Sequence, residues 1–148
     1  MDEVRFYSLS VTPLSKALPR LLEKVLEKNS HHQIILYSAS EALLKSLNDA
    51  LWTYAPMGFL PHGMDTDSDA DEQPIVLSQS QDRIVADKGC VCLDPLDLSS
   101  KKPLLLIYMF EPSGAPIFMR LAEEYKQNKV PIFLMTQGAD GGWQRTSP

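Results

Sequence analysis

Gln33-Ile34-Ile35-Leu36-Tyr37-Ser38-Ala39-Ser40 is the stretch that sets the fold. Residues 33–37 are apolar enough to be covered on both faces, which marks a strand inside a parallel sheet. Ser38-Ala39-Ser40 then ends the strand and starts a helix, with the Ser40 hydroxyl placed to accept from first-turn amides. Leu44, Leu47 and Leu51 follow at helical spacing. Strand followed directly by helix is the alternation from which parallel sheets are built.

That alternation runs outward in both directions. Residues 4–9 read as a first strand, and Leu14, Leu18, Leu21, Leu22, Val25 and Leu26 trace one face of the helix after it. Pro19 belongs in the first turns of that helix or kinks it, because it lacks the amide needed deeper inside. Further strands are expected at residues 74–77, 89–93, 103–110 and 130–135. Pro116 opens another helix reaching about Asn128, with Ile117, Leu121 and Tyr125 on one stripe. The pattern implies a three-layer, Rossmann-like α/β fold, a largely parallel sheet flanked by helices. Residues 1–137 are expected to form a single domain, and residues 138–148 a flexible Gly-rich tail carrying Trp143. Residues 64–73 are acidic and read as a mobile loop.

The 148 residues fit one core, and 44% hydrophobic content marks a globular chain. Net charge is −5 and the sequence pI about 5.1. Strong direct nucleic-acid binding needs a dense cationic surface, so this balance argues against it. The longest apolar runs, such as residues 104–110, are too short to span a bilayer, and Met1-Asp2-Glu3 does not open a signal peptide. The expectation is a cytoplasmic protein. Cys90 and Cys92 are too close for an unstrained bridge and are expected as reduced, small core residues on one strand face.

Catalytic and cofactor motifs are missing. A nucleotide-binding α/β domain needs glycines after its first strand, where amides meet the phosphates. Here that turn reads Ser10-Val11-Thr12-Pro13, and the first glycine is Gly58. Asp65-Thr66-Asp67-Ser68-Asp69 has a calcium-loop rhythm, but Ala70 replaces the turn glycine and Val76 the closing Glu. His31, His32 and His62 lack zinc spacing, and a turn-stabilising role is expected for His62. No Gly-x-Ser-x-Gly elbow is present, so neither a catalytic residue nor a cofactor or metal is assigned.

Aromatic and basic residues remain. Trp52 at a helix end and Phe59 in a Pro/Gly loop could be core or a hydrophobic anchor for a partner, and composition leaves both open. Met119, Ala122, Lys126 and Lys129 form a helical stripe beside Tyr125. Lysines near an aromatic can capture an acidic peptide, although an ordinary solvated face fits as well.

Leu51-Trp52-Thr53-Tyr54, then Phe59-Leu60-Pro61-His62-Gly63, an acidic loop and Pro74-Ile75-Val76-Leu77 closely resemble the chi subunit of bacterial DNA polymerase III. Phe6-Tyr7, Leu18-Pro19-Arg20-Leu21-Leu22 and Glu124-Tyr125-Lys126 extend the likeness over most of the chain, while residues 79–102 match poorly. The resemblance implies a non-enzymatic replisome adaptor, an accessory subunit linking the clamp loader to the acidic C-terminal tail of single-stranded DNA-binding protein. It also implies a psi subunit or helicase-like partner, met through Trp52, Phe59, Pro61 and His62, and nucleoid association through the replisome. By position Tyr125 and Lys126 match part of the tail-binding surface. The family's usual Arg one turn earlier is replaced by Ala122, so tail binding here would lean on Lys126, Lys129 or Arg120. Two other readings are a nucleotide-binding α/β enzyme or sensor, and a direct single-stranded DNA binder using aromatic stacking.

Overall fold

Short runs without a polar face are satisfied only inside a sheet, and the structure places them there. It is a computed structural model that describes residues 3–28, 32–54 and 60–146. The strands are β1 (Val4–Ser8), β2 (Ile34–Tyr37), β3 (His62–Met64), β4 (Ile75–Ser78), β5 (Gly89–Cys92), β6 (Leu105–Phe110), β7 (Ile132–Gln137) and β8 (Trp143–Thr146). They form one sheet in the order β3-β4-β2-β5-β6-β1-β7-β8, parallel except for the β7–β8 pair. Every residue of β2, β4 and β5 is buried.

Three helices supply the outer layers: α1 (Leu14–Lys28), α2 (Glu41–Trp52) and α3 (Ala115–Gln127). Strand side chains alternate between faces, so Ile34 and Leu36 pack with α1 and α2, while Ile35 and Tyr37 join the cluster under α3. The result is the three-layer, Rossmann-like arrangement. Ser40 caps α2, its Oγ accepting from the Leu43 amide at 3.2 Å. Pro19 lies in the second turn of α1 and is buried there. Cys90 and Cys92 face the α3 cluster together, both fully buried and unbridged.

Several expectations are corrected. The stretch read as a Gly-rich tail contains β8, which pairs Gln137 with Trp143 and Leu134 with Thr146. His62, expected to stabilise a turn, instead begins β3, a parallel edge strand only three residues long. The acidic loop is anchored, not loose. Ala70 is buried, Gln33 donates to the Ala70 and Gln73 carbonyls, and Arg83 pairs with Asp65 and Asp71. Ile117 lies off the buried stripe of α3 and is 54% exposed; Phe118, Leu121, Ala122 and Tyr125 form that stripe.

The end of α3 carries a strained residue. Lys129 has φ 61°, in the left-handed region. Its amide donates to the Lys126 carbonyl and the Val130 amide to Tyr125, a Schellman closure that glycine fills without Cβ strain. Lys129→Gly is therefore expected to stabilise the protein by about 1 kcal/mol, read by urea unfolding. Lys129→Ala should show no such gain, since alanine keeps the offending Cβ.

Candidate partner-binding surface

Trp52 closes α2 and is 61% exposed, an unusual state for the largest apolar side chain. Beneath it His62 is buried at the start of β3, with ring centroids 4.9 Å apart and planes inclined by 57°. His62 Nδ1 lies 2.8 Å from the Leu60 carbonyl oxygen and Nε2 2.9 Å from Asn48 Oδ1, so each ring nitrogen is engaged by its own neighbour. The imidazole is thus locked between α2 and the loop end, forming a fixed base on which the indole rests. Pro61 beside it is partly exposed. Phe59 lies outside the described residues.

The α3 surface differs from its sequence reading. Arg120, Lys126 and Lys129 are exposed, but Ala122 and Tyr125 are 2% exposed and belong to the core. Tyr125 is covered because residues 96–98 fold over it. The Leu98 amide donates to its hydroxyl oxygen at 3.1 Å. Tyr108 O–H donates to the Leu96 carbonyl, which leaves the Tyr125 O–H to donate to the Tyr108 oxygen at 2.7 Å. Burial pushes both phenols well above their ordinary range. The covering loop falls within residues 79–102, where the resemblance is weakest. Tyr125 therefore organises the loop and presents no face to solvent, leaving three cations as the exposed part of that surface.

One residue that shapes this end of the sheet escaped the sequence reading. Gln137, at the end of β7, is 5% exposed and reaches across to the turn after β1. Its Oε1 accepts from the amides of Ser10, Val11 and Thr12 at 3.0, 3.0 and 3.1 Å. Its Nε2 donates to Thr12 Oγ1 at 2.8 Å and the Gly141 carbonyl at 3.2 Å. Glu111 accepts from the Leu14 amide at the start of α1. In nucleotide-binding α/β folds, amides at this turn and helix start receive phosphate. Here internal oxygens fill both places. The only advance signal was the lack of glycine in the turn; nothing marked a glutamine 125 residues away.

The fold and this corner define a class: a doubly covered parallel sheet whose nucleotide corner is closed by its own side chains and whose exposed indole sits at a rigid helix end. The family model for the DNA polymerase III chi subunit, HolC, matches residues 1–128. A probable DNA polymerase III subunit chi from Rickettsia prowazekii (strain Madrid E) is 24% identical, aligned over 98% of this chain and 92% of that protein. The chain belongs to the DNA polymerase III chi subunit family, whose members are accessory subunits of the replisome.

Proposed function

We propose that the protein is a non-catalytic adaptor, joining the clamp loader to the C-terminal tail of single-stranded DNA-binding protein. The observation that carries this reading is Trp52, held 61% exposed above an immobilised His62. A fixed indole with little ordering left to undergo is a good interface anchor. Trp52, Pro61, His62 and Phe59 would meet the psi subunit or a helicase-like partner. Arg120, Lys126 and Lys129 would hold the acidic tail by screened attraction, without a recess at Tyr125. The closed turn at Gln137 argues against nucleotide chemistry at that corner.

Trp52→Ala should leave folding stability within about 1 kcal/mol, because the indole is mostly solvated. The same change should weaken capture of the purified psi or helicase-like partner about 30-fold or more. Equal affinity of wild type and variant by titration calorimetry would remove the adaptor surface. For the tail, Lys126→Glu with Lys129→Glu should abolish binding of the tail peptide at low salt; unchanged binding would take it off α3.

A further inference from the structure

Strand alternation gives the β7–β8 edge of the sheet two unlike faces. Ile132 and Leu134 of β7 pack toward α3, so Phe133 and Met135 point to the side that carries α1. There β1, β7 and β8 extend past α1, and among the described residues no helix covers them. Phe133 and Met135 are accordingly only half-buried. Register sets Arg5 beside Phe133, and Tyr7, Met135 and Arg145 in one row across three strands. The Tyr7 and Trp143 rings meet edge to face at 5.2 Å, and the exposed Arg145 guanidinium lies 3.7 Å from the Phe133 ring centre. Between this face and α1 opens a cleft of about 930 Å3. Arg20, Lys24 and Lys28 line its α1 side, all exposed and without an ion-pair partner among the described residues.

Shape and charge together select the ligand. Aromatic rings and a guanidinium on a half-open sheet face offer flat surfaces on which planar bases stack. Arg20, Lys24 and Lys28 follow one another at helical steps of about 6 Å, close to the spacing of successive phosphates along an extended single strand. The phosphates of a free nucleotide are joined through single oxygens and lie too close together to engage all three. A run of carboxylates would satisfy the cations but brings no planar groups to the floor. Arg5, Arg20, Lys24, Lys28 and Arg145 stand against Glu3 and Glu23, a net of +3 on a chain that carries −5. The remainder is therefore −8, and a strand that leaves the cleft runs over repelling surface. Overall acidity thus excludes the coating of long nucleic acid and confines the contact to a short segment.

We propose that the open face of β1, β7 and β8, with the cationic edge of α1, is a contact site for a single-stranded nucleic-acid segment of about three nucleotides. Arg20, Lys24 and Lys28 follow its phosphates. Tyr7, Trp143 and the Arg145 guanidinium, backed by Phe133, receive its bases. No phosphate cradle is needed at the turn that Gln137 closes, because side chains rather than backbone amides meet the phosphates. The inference goes beyond the adaptor reading and does not rest on it. The site lies across the sheet from α3 and toward the opposite edge from His62.

Trp52→Phe leaves Trp143 as the sole tryptophan, so its emission reports this face directly. An oligothymidylate of about four nucleotides should quench that emission saturably. The logarithm of its affinity should fall with the logarithm of salt at a slope of about −2, the value for three phosphates on a single strand. An abasic strand of equal length and charge should bind about tenfold or more weaker, because it has nothing to stack. Lys24→Glu with Lys28→Glu, both on an exposed helix edge, should weaken oligothymidylate about tenfold or more and flatten the salt slope. Lys126→Glu with Lys129→Glu on α3 should leave it unchanged. Absence of quenching at low salt, abasic binding equal to that of oligothymidylate, or indifference to the α1 reversals overturns the proposal. Thymidine triphosphate binding as tightly as the strand would make the cleft a nucleotide pocket and overturn it. Equal competition by oligo-aspartate would reduce it to a general anion patch and overturn it as well. The adaptor reading is tested through Trp52 and α3, so failure of either leaves the other standing.

Discussion

Raising the pH from about 8 to about 11 is expected to unfold this protein, although few of its surface ion pairs should matter. The cause is a cluster of neutral acids under α3. Cys90 and Cys92 on β5, Tyr108 on β6 and Tyr125 on α3 are all buried in one apolar cluster. Burial raises the Cys90 thiol well above its ordinary value of 9.0 and Cys92 to about 12. Both phenols rise from 10.0, by burial first. Each group is neutral when protonated, so the fold favours the protonated form. Their contribution is fully present below the unfolded values and is lost as pH climbs toward the folded ones. In that window the unfolded chain binds fewer protons, and stability falls by about 1.4 kcal/mol per pH unit for each group. By about pH 11 the four together remove roughly 8 kcal/mol, comparable to the whole stability of an ordinary domain.

Urea unfolding at stepped pH checks this, with tyrosinate absorbance followed on the same samples. Stability should bend downward near pH 9 and steepen near 10, and tyrosinate should appear with unfolding. Cys90→Ala with Cys92→Ala should halve the steep limb while lowering stability at neutral pH by a kcal/mol or two. All phenols titrating smoothly near 10 in a chain that stays folded would contradict the buried network.

How much of this was legible in the sequence depends on the range over which each signal acts. β2 and the α2 cap were readable because one is a continuous apolar run and the other a single hydroxyl beside a helix start. The two cysteines followed from period-two alternation. β3 and β8 were not readable, since three or four residues beside glycines carry too little periodicity, and their pairing is supplied by β4 and β7. The acidic loop looked solvated because its carboxylates were counted and its partners, Gln33 and Arg83, were not visible as partners. Tyr125 shows the same limit at the candidate site. Helical spacing put it on the apolar stripe correctly, but only the fold brings residues 96–98 over its hydroxyl. Trp52 was left open between core and surface, and tertiary packing alone decides that.

Gln137 is where an error of range has the largest energetic consequence. Gln137→Leu keeps most of the volume and removes the oxygen that three successive amides share. Each buried donor left unpaired costs about 1–3 kcal/mol. Ser10 and Val11 are exposed, so water can reach part of the turn and the lower end applies. The expected loss is about 3 kcal/mol, or about 6 to 12 °C in Tm for a chain of this size. Gln137→Glu retains the acceptor and gives up only the donations to Thr12 and Gly141, so it should lose about 1 kcal/mol. The ordering of the two variants is the diagnostic quantity. If the amide oxygen holds the turn, glutamate must be the milder change despite its buried charge, because three converging N–H groups favour a carboxylate. If Gln137 merely fills space at the end of β7, leucine must be milder, since it adds no charge to a buried site. A thermal melt of both variants separates these cases, and a leucine variant as stable as wild type would mean that solvent, not Gln137, satisfies the turn that a nucleotide phosphate would otherwise occupy.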